Sequence, residues 1–170
     1  MAAGLPDFPW DSLADVTAKA HSHPDGIVNL SVGTPVDPVD PVIQEALASV
    51  AEVPGYPTTH GTLALREAVA ESLDRRYNIP DVDPAAVLPA IGTKEMIAWL
   101  PKLLGLGAGD LVVIPELAYP TYEVAAKLAG ARVLRADGLN KLGPESAAMI
   151  FVNSPSNPTG KVLGLEHLQK

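Results

Sequence analysis

Short apolar runs alternate with stretches of helical periodicity from about residue 87 onward, and this alternation limits the possible folds more than any other feature of the chain. The apolar runs predict strands at 87–91, 111–114, 132–134 and 149–152. Helices are predicted between them, around 95–104 and 122–128. Strands that are apolar along their whole length are typical of a parallel sheet covered on both faces. We therefore predict an α/β fold with three α/β/α layers and a mostly parallel sheet, whose ligands lie at the carboxyl ends of the strands.

The beginning of the chain has a different character. Residues 1–40 are rich in proline and irregular, apart from one predicted helix after Asp11 or Ser12 and a short predicted strand at 27–32. From Asp40 the pattern changes, because Asp40 can cap a helix that starts at Pro41. Further helices are predicted at 62–77 and from about Leu163. We interpret 1–40 as an N-terminal arm and 41–170 as the start of the main domain.

Composition excludes several classes of function. The chain has 170 residues, 47% of them hydrophobic, which is enough for a real core. Its net charge of −8 argues against a nucleic-acid partner, and the absence of cysteine excludes disulfide scaffolds and thiolate metal sites. The sequence shows neither a basic leader followed by an apolar segment nor an apolar run of membrane-spanning length. We therefore expect a cytoplasmic protein with no metal and no membrane partner.

A glycine stands at the start of the helix that follows the predicted strand at 87–91, in the sequence Gly92-Thr93-Lys94-Glu95. Glycine permits close backbone approach, and the N-terminus of a helix offers free N–H groups and positive potential to a phosphate. Thr93 can add a hydroxyl donor. The alternative is purely structural, with Thr93 capping the helix and Glu95 in its first turn.

Tyr119 stands at the next turn from strand to helix, directly before Pro120, a residue that suits the first position of a helix. At this place its ring could lie flat on a heteroaromatic ligand. The alternative is a buried core tyrosine.

The loop 152–160 follows the last predicted strand. Pro155 and Pro158 restrict its backbone and that of the residues before them, so Asn157 is presented on a stiff loop. An amide held in this way suits a planar polar ligand, whereas the alternative is a proline-rich surface turn.

Together these motifs resemble the class I/II aminotransferases, which use pyridoxal 5'-phosphate and have the type I fold. The matching segments occur in that family's order and approximate spacing, and they are Gly55-Tyr56-Pro57, Gly61-Thr62-Leu63-Ala64-Leu65-Arg66, Gly92-Thr93-Lys94-Glu95, Tyr119-Pro120 and Asn157-Pro158-Thr159-Gly160. The resemblance implies that 41–170 is an incomplete cofactor-binding large domain. It also implies that 1–40 comprises the N-terminal arm and a segment of the family's small domain. It also implies amino-acid and 2-oxo-acid substrates and a homodimer.

The resemblance also implies a role for each matching residue. The backbone of Gly92, Thr93 and Lys94, with the Thr93 hydroxyl, would hold the cofactor phosphate. Tyr119 would stack on the pyridine ring, and Asn157 would donate a hydrogen bond to the ring oxygen. Two more residues have expected roles outside these loops: Tyr56 would reach the phosphate of the neighbouring subunit's cofactor, and Gly33 would lie beside the substrate carboxylate.

Three segments are similar to one branch of the family, the N-succinyldiaminopimelate aminotransferases of lysine biosynthesis. They are Leu5-Pro6-Asp7-Phe8-Pro9-Trp10, Leu30-Ser31-Val32-Gly33-Thr34-Pro35-Val36-Asp37 and Pro115-Glu116-Leu117-Ala118-Tyr119-Pro120-Thr121-Tyr122. The resemblance implies transfer of an amino group between glutamate and N-succinyl-2-amino-6-oxoheptanedioate. A carbon–sulfur lyase on the same fold is the alternative within enzymes.

The family's catalytic residues have no match in the chain. The lysine that forms a Schiff base with the cofactor lies well downstream of the asparagine loop in the family, and neither Lys94 nor Lys161 corresponds to it. The aspartate at the pyridine nitrogen, the second tyrosine at the ring oxygen and the arginine that binds the substrate carboxylate also have no match. We therefore expect the N-terminal part of an enzyme, inactive alone; the alternative is a non-catalytic protein of this length. Sequencing beyond Lys170 distinguishes the two.

Overall fold

The structure, a computed structural model, describes residues 4–169 and contains a parallel sheet in its second half. In the described part of the chain the sheet has three strands in the order β2–β1–β3. They are β1 (Leu111–Ile114), β2 (Arg132–Arg135) and β3 (Met149–Ile150). Val112 of β1 is in register with Val133 of β2 and with Met149 of β3. The predicted α/β fold with a parallel sheet is confirmed.

The core lies between β1 and the helix that follows it. All four residues of β1 are buried, and Val112 and Ile114 have 0% of their surface exposed. Helix α5 (Thr121–Ala129) packs on this strand through Tyr122 and Ala126, while α4 (Thr93–Leu103) packs against α5. Burying a valine or isoleucine side chain contributes about 1.5–3 kcal/mol. The apolar run that predicted the strand also supplies four of the ten buried hydrophobic residues in the described part of the chain.

The helices begin close to where the sequence predicts them, although α4 starts earlier and α6 later than predicted. The remaining ones are α1 (Ala14–His21), α2 (Pro41–Ser49), α3 (Leu63–Tyr77) and α6 (Leu165–Leu168), with short 3-10 turns at Pro9–Leu13, Pro84–Ala86 and Leu139–Leu142. The Asp40 carboxylate accepts a hydrogen bond from the Val42 amide at 3.0 Å at the start of α2. The Thr62 hydroxyl accepts one from the Leu65 amide at 3.2 Å at the start of α3. Both caps satisfy backbone donors that the first turn of a helix leaves free.

Two predicted strands are wrong. Residues 27–32 and 87–91 are irregular, and no described segment pairs with either. Leu30 and Ile91 are 90% and 91% exposed, as expected for an apolar segment without a partner. A strand requires a neighbouring ladder of hydrogen bonds, and apolar composition alone does not supply one. The predicted strand at 149–152 is also shorter, because only Met149–Ile150 pairs with β1.

The chain divides into two compact units. One is Lys19–Pro89, and the other contains the described residues on either side of it, including the sheet. Within Lys19–Pro89, Arg66 donates from its guanidinium to the Pro84 carbonyl at 3.2 Å. Gly61 has a φ of +76° and lies so close to Pro89 that a Cβ would be 2.7 Å from the ring. The predicted division at residue 40 stays a prediction.

Candidate functional site

The start of α4 leaves backbone N–H groups without a side-chain partner. Gly92 is the N-cap, with φ 96° and ψ 144°, and no side chain caps the helix. Thr93 is the first helical residue, so the alternative that Thr93 caps α4 is wrong. Its hydroxyl makes no hydrogen bond to a described residue, and the space around a Cβ at Gly92 is open. A phosphate could therefore approach this backbone closely.

A cavity of about 570 Å³ lies beside the start of α4. Gly92 and Lys94 line it, together with Pro120 and the segment 5–9 near the beginning of the chain. The Lys94 ammonium lies 5.2 Å from the centre of the Phe8 ring, which is within the range of a cation–π contact. The side chain of Lys94 is thus directed towards Phe8, and its predicted contribution to a phosphate site would come from its backbone.

Tyr119 belongs to a row of three aromatic rings. It is half-buried, and its ring meets Tyr122 edge-on, at a centroid distance of 5.9 Å and an angle of 82°. Tyr122 in turn stacks on Phe151, at 4.6 Å and 17°. Burial raises the pKa of Tyr122, and the neighbouring Tyr119 adds to that rise. Tyr119 therefore packs against the edge of the core while part of its side chain stays accessible to a ligand.

The loop after β3 holds its own backbone and leaves Asn157 unengaged. The Asn153 side-chain oxygen accepts a hydrogen bond from the backbone N–H of Asn157 at 2.7 Å, and the Ser154 hydroxyl accepts one from the backbone N–H of Leu163 at 2.9 Å. The Asn157 side chain is exposed and makes no hydrogen bond within residues 4–169. The loop also borders a second cavity of about 660 Å³ that includes Asn153 and Lys161 in its walls. Asn157 thus has a free amide to offer a ligand.

The remaining two predicted site residues, Gly33 and Tyr56, lie in the unit Lys19–Pro89. Tyr56 is 100% exposed, and Gly33 has no atom within 4 Å of the place of a Cβ. Their predicted contacts with a neighbouring subunit's cofactor and with a substrate stay predictions.

A carboxylate joins α5 to the sheet near these loops. Glu123 accepts hydrogen bonds from Lys127 at 2.7 Å and from Arg135 of β2 at 2.6 Å, and 21% of its side chain is exposed. These bonds, first that from Lys127 and then that from Arg135, lower the pKa of Glu123. The pairs fix the end of β2 relative to the start of α5, and Tyr119 lies two residues before that start.

The structure therefore brings some of the predicted residues together and leaves others apart. Gly92 and Lys94 share a cavity with Pro120, the residue after Tyr119. Asn157 lines neither cavity, but it follows β3 as Tyr119 follows β1, and the carboxyl ends of parallel strands meet at one edge of a sheet. Phe8, Tyr122 and Phe151 were not among the predicted site residues, although they contact Lys94 and Tyr119 or each other. A sign of one contact was present in the sequence, because Tyr119 and Tyr122 are only three residues apart across the turn that leads into α5.

Two other classes of site are not found in the described chain. Residues 4–169 contain no group of three or more His, Asp or Glu side chains placed to hold a metal ion. None of the described helices combines the length and apolar character required to cross a membrane.

Relatives with known names match nearly the whole chain. A probable aminotransferase of Mycobacterium tuberculosis is 67% identical over 100% of this chain. The 4-dedimethylamino-4-oxo-anhydrotetracycline transaminase of Streptomyces rimosus is 53% identical over 98% of it. An LL-diaminopimelate aminotransferase of Dehalococcoides mccartyi is 32% identical, also over 98%. The chain spans less than half the length of these relatives, namely 41%, 46% and 46%.

Solved structures agree with the sequence relatives. The N-succinyldiaminopimelate aminotransferase of Mycobacterium tuberculosis superposes with a TM-score of 0.77 at 27% identity, over 96% of this chain and 45% of that one. The sequence model of aminotransferase class I and II matches residues 25–170. The chain belongs to the class I and II aminotransferase family.

Proposed function

We propose that the complete protein is an aminotransferase that uses pyridoxal 5'-phosphate, the cofactor of this family. The observation that carries the proposal is the unengaged Asn157 amide at the carboxyl edge of the sheet. The open space at Gly92 also fits this cofactor, because a side chain at that position would occupy the room that the cofactor phosphate needs. Both features suit a ligand with a phosphate and a planar polar ring.

Each chain segment has a distinct part in this proposal. The backbone of Gly92, Thr93 and Lys94 and the Thr93 hydroxyl would hold the phosphate at the start of α4. Tyr119 would cover one face of the ring, and the Asn157 amide would donate to the ring oxygen. When bound, the cofactor supplies an electron sink for the amino-acid substrate. Gly33 would present its backbone to the substrate carboxylate.

For the substrate, we propose transfer of an amino group between glutamate and N-succinyl-2-amino-6-oxoheptanedioate. The support is the similarity of three segments to that branch, a structural neighbour of that name and a relative that acts on LL-diaminopimelate. A second candidate substrate is a ketone on a polycyclic ring system. It is favoured by the transaminase of Streptomyces rimosus, which has the higher identity and is named for such a compound.

Competing substrates test these proposals in the full-length enzyme. With 2-oxoglutarate as acceptor, we expect the highest kcat/KM for N-succinyl-LL-diaminopimelate among that compound, LL-diaminopimelate, aspartate, phenylalanine and cystathionine. In the reverse direction, 4-dedimethylamino-4-oxo-anhydrotetracycline is offered with glutamate, and efficient amination of it would favour the second candidate. A preference for aspartate or phenylalanine would contradict both. Release of pyruvate from cystathionine would indicate a carbon–sulfur lyase.

The active assembly in this proposal is a homodimer, with Tyr56 reaching the phosphate bound by the other subunit. The full exposure of Tyr56 leaves its hydroxyl available for such a contact. Light scattering of the full-length protein measures the assembly, and a monomer that retains full activity would contradict it. The cytoplasmic location stays a prediction.

A further inference from the structure

We infer that Tyr122 is a positioning residue that holds the Tyr119 ring and the Asn157 loop in fixed relation to each other. The inference rests on the proposed function, because it concerns the same cofactor site. Tyr122 itself is 93% removed from solvent, with a relative exposure of 7%, so it acts through its neighbours.

The first link joins Tyr122 to Tyr119. The rings meet edge-to-face at 5.9 Å, and the Tyr122 amide donates a hydrogen bond to the Tyr119 carbonyl at 3.1 Å. The backbone of Tyr119 and one edge of its ring are therefore set by the same neighbour. Because edge-to-face pairs have a preferred geometry, removal of the Tyr122 ring would free the half-buried Tyr119 side chain to rotate.

The second link joins Tyr122 to the loop after β3. Phe151 stacks on Tyr122 at 4.6 Å, and its amide donates to the Val113 carbonyl at 2.9 Å, which continues the ladder of β1 past the end of β3. Phe151 is therefore the last residue held by the sheet before the loop. Two residues later, Asn153 accepts the hydrogen bond that fixes the Asn157 backbone.

Together the two links place Tyr122 between the proposed ring-stacking and ring-oxygen contacts. Tyr119 comes from the segment after β1, and Asn157 comes from the segment after β3. Without Tyr122, each segment would still be attached to its own strand, but the ring contact between them would be lost. A cofactor that must touch both side chains at once depends on their spacing, and small displacements weaken such sites.

The full-length enzyme tests this inference with four variants. Tyr122→Leu removes the ring, Phe151→Leu breaks the second link alone, and Tyr122→Phe keeps both ring contacts. Val133→Ala is the control for general weakening of the core, because Val133 packs against the same core from β2. The measurements are the Kd of pyridoxal phosphate for the cofactor-free enzyme, the pH midpoint of the bound cofactor's visible absorbance, and the Tm without cofactor.

We expect Phe151→Leu to raise the Kd roughly 3- to 10-fold, the range for loss of one aromatic pair. Tyr122→Leu loses both pairs and should raise the Kd at least as much, and both variants should shift the pH midpoint. Tyr122→Phe should restore the wild-type Kd and midpoint, while Val133→Ala should lower the Tm only. An unchanged Kd and midpoint in both leucine variants would overturn the inference and leave the proposed function standing. An equal rise in Kd for Val133→Ala would also overturn it. Failure of the wild-type enzyme to bind the cofactor would instead refute the proposed function, and the inference with it.

Discussion

Gly92 and Asn157 show how single residues prepare the candidate site. Gly92 combines a positive φ with an extended ψ at the start of α4, a backbone conformation that residues with a Cβ rarely adopt. Asn157 has its backbone held by Asn153 while its side chain stays unpaired. In both cases the main-chain conformation is fixed. The group proposed to contact the ligand, the backbone at Gly92 or the side-chain amide of Asn157, is left free.

Substitution Gly92→Ala should lower both stability and cofactor affinity. The strained backbone costs of the order of 1–3 kcal/mol, and the added Cβ would project into the room proposed for the phosphate. Gly107→Ala is a matched control, because Gly107 lacks a positive φ and its Cβ would also meet open space. Chemical denaturation of the cofactor-free enzyme and titration with pyridoxal phosphate measure the two effects. Equal stability of the two variants would contradict the strain argument.

Substitution Asn157→Ala should raise the pKa of the bound cofactor, which is measured from the pH dependence of its visible absorbance. The lost hydrogen bond stabilises the ionised ring oxygen, and that oxygen holds a shared proton more tightly when the amide is absent. A charge-assisted bond is worth about 1.5–3 kcal/mol, which corresponds to roughly one to two pKa units. Val162→Ala in the same exposed region is the control. A spectrophotometric pH titration without a shift would remove Asn157 from the cofactor site.

Among the secondary-structure elements, those with local causes were predictable. The caps Asp40 and Thr62 act within one turn, so their sequences are sufficient to place the starts of α2 and α3. A strand depends on a partner elsewhere in the chain, and for this reason the apolar runs at 27–32 and 87–91 do not form the strands that their composition predicts. The same distinction applies to the site: Gly92 was visible as a motif, whereas the stacking of Tyr122 on Phe151 is a tertiary contact.

The Glu123 pairs between α5 and β2 should make stability depend on pH. The folded pKa of Glu123 is lowered, so the ionised pairs stabilise the fold above the ordinary pKa of about 4.3, and the gain is lost as the pH falls through the folded pKa. Glu123→Gln should therefore lower the free energy of unfolding by about 0.2–1 kcal/mol at neutral pH. The difference from the wild type should shrink on acidification.

Urea denaturation of the full-length protein at several pH values measures this dependence. Glu67→Gln is the control, because Glu67 lies on the surface of α3 and forms no salt bridge with another described residue. A wild-type advantage that stays constant from neutral to acid pH would show that the carboxylate charge does not contribute.

On the scale of the whole molecule, the order of the motifs predicted the family even though several elements were misassigned. The family match extends over residues 25–170, and it includes the predicted strand at 87–91 that the structure does not form. The two compact units each contain part of the predicted site, with Gly33 and Tyr56 in one and Gly92, Tyr119 and Asn157 in the other. A sequence alone gives the roles of such residues by resemblance, but it does not give the contacts between them.

The 170-residue chain by itself should not attach pyridoxal phosphate at one specific lysine. Lys94 lies next to Phe8 and Lys161 lies in the loop after β3, and both are exposed, so neither is buried in the way expected of a covalent attachment site. Incubation with the cofactor, borohydride reduction and peptide mapping should give weak labelling spread over several lysines. Stoichiometric labelling of Lys94 or of any other single lysine would refute this prediction.

The position of β1 between β2 and β3 also determines the order in which the strands of the sheet can pair. Of the three described strands, the central one is synthesised first, and its two neighbours follow it along the chain, the first after a crossover through α5. Chains fold from the N-terminus as they leave the ribosome. Both pairings of β1 can therefore form as soon as Met149–Ile150 has been synthesised and has left the ribosome.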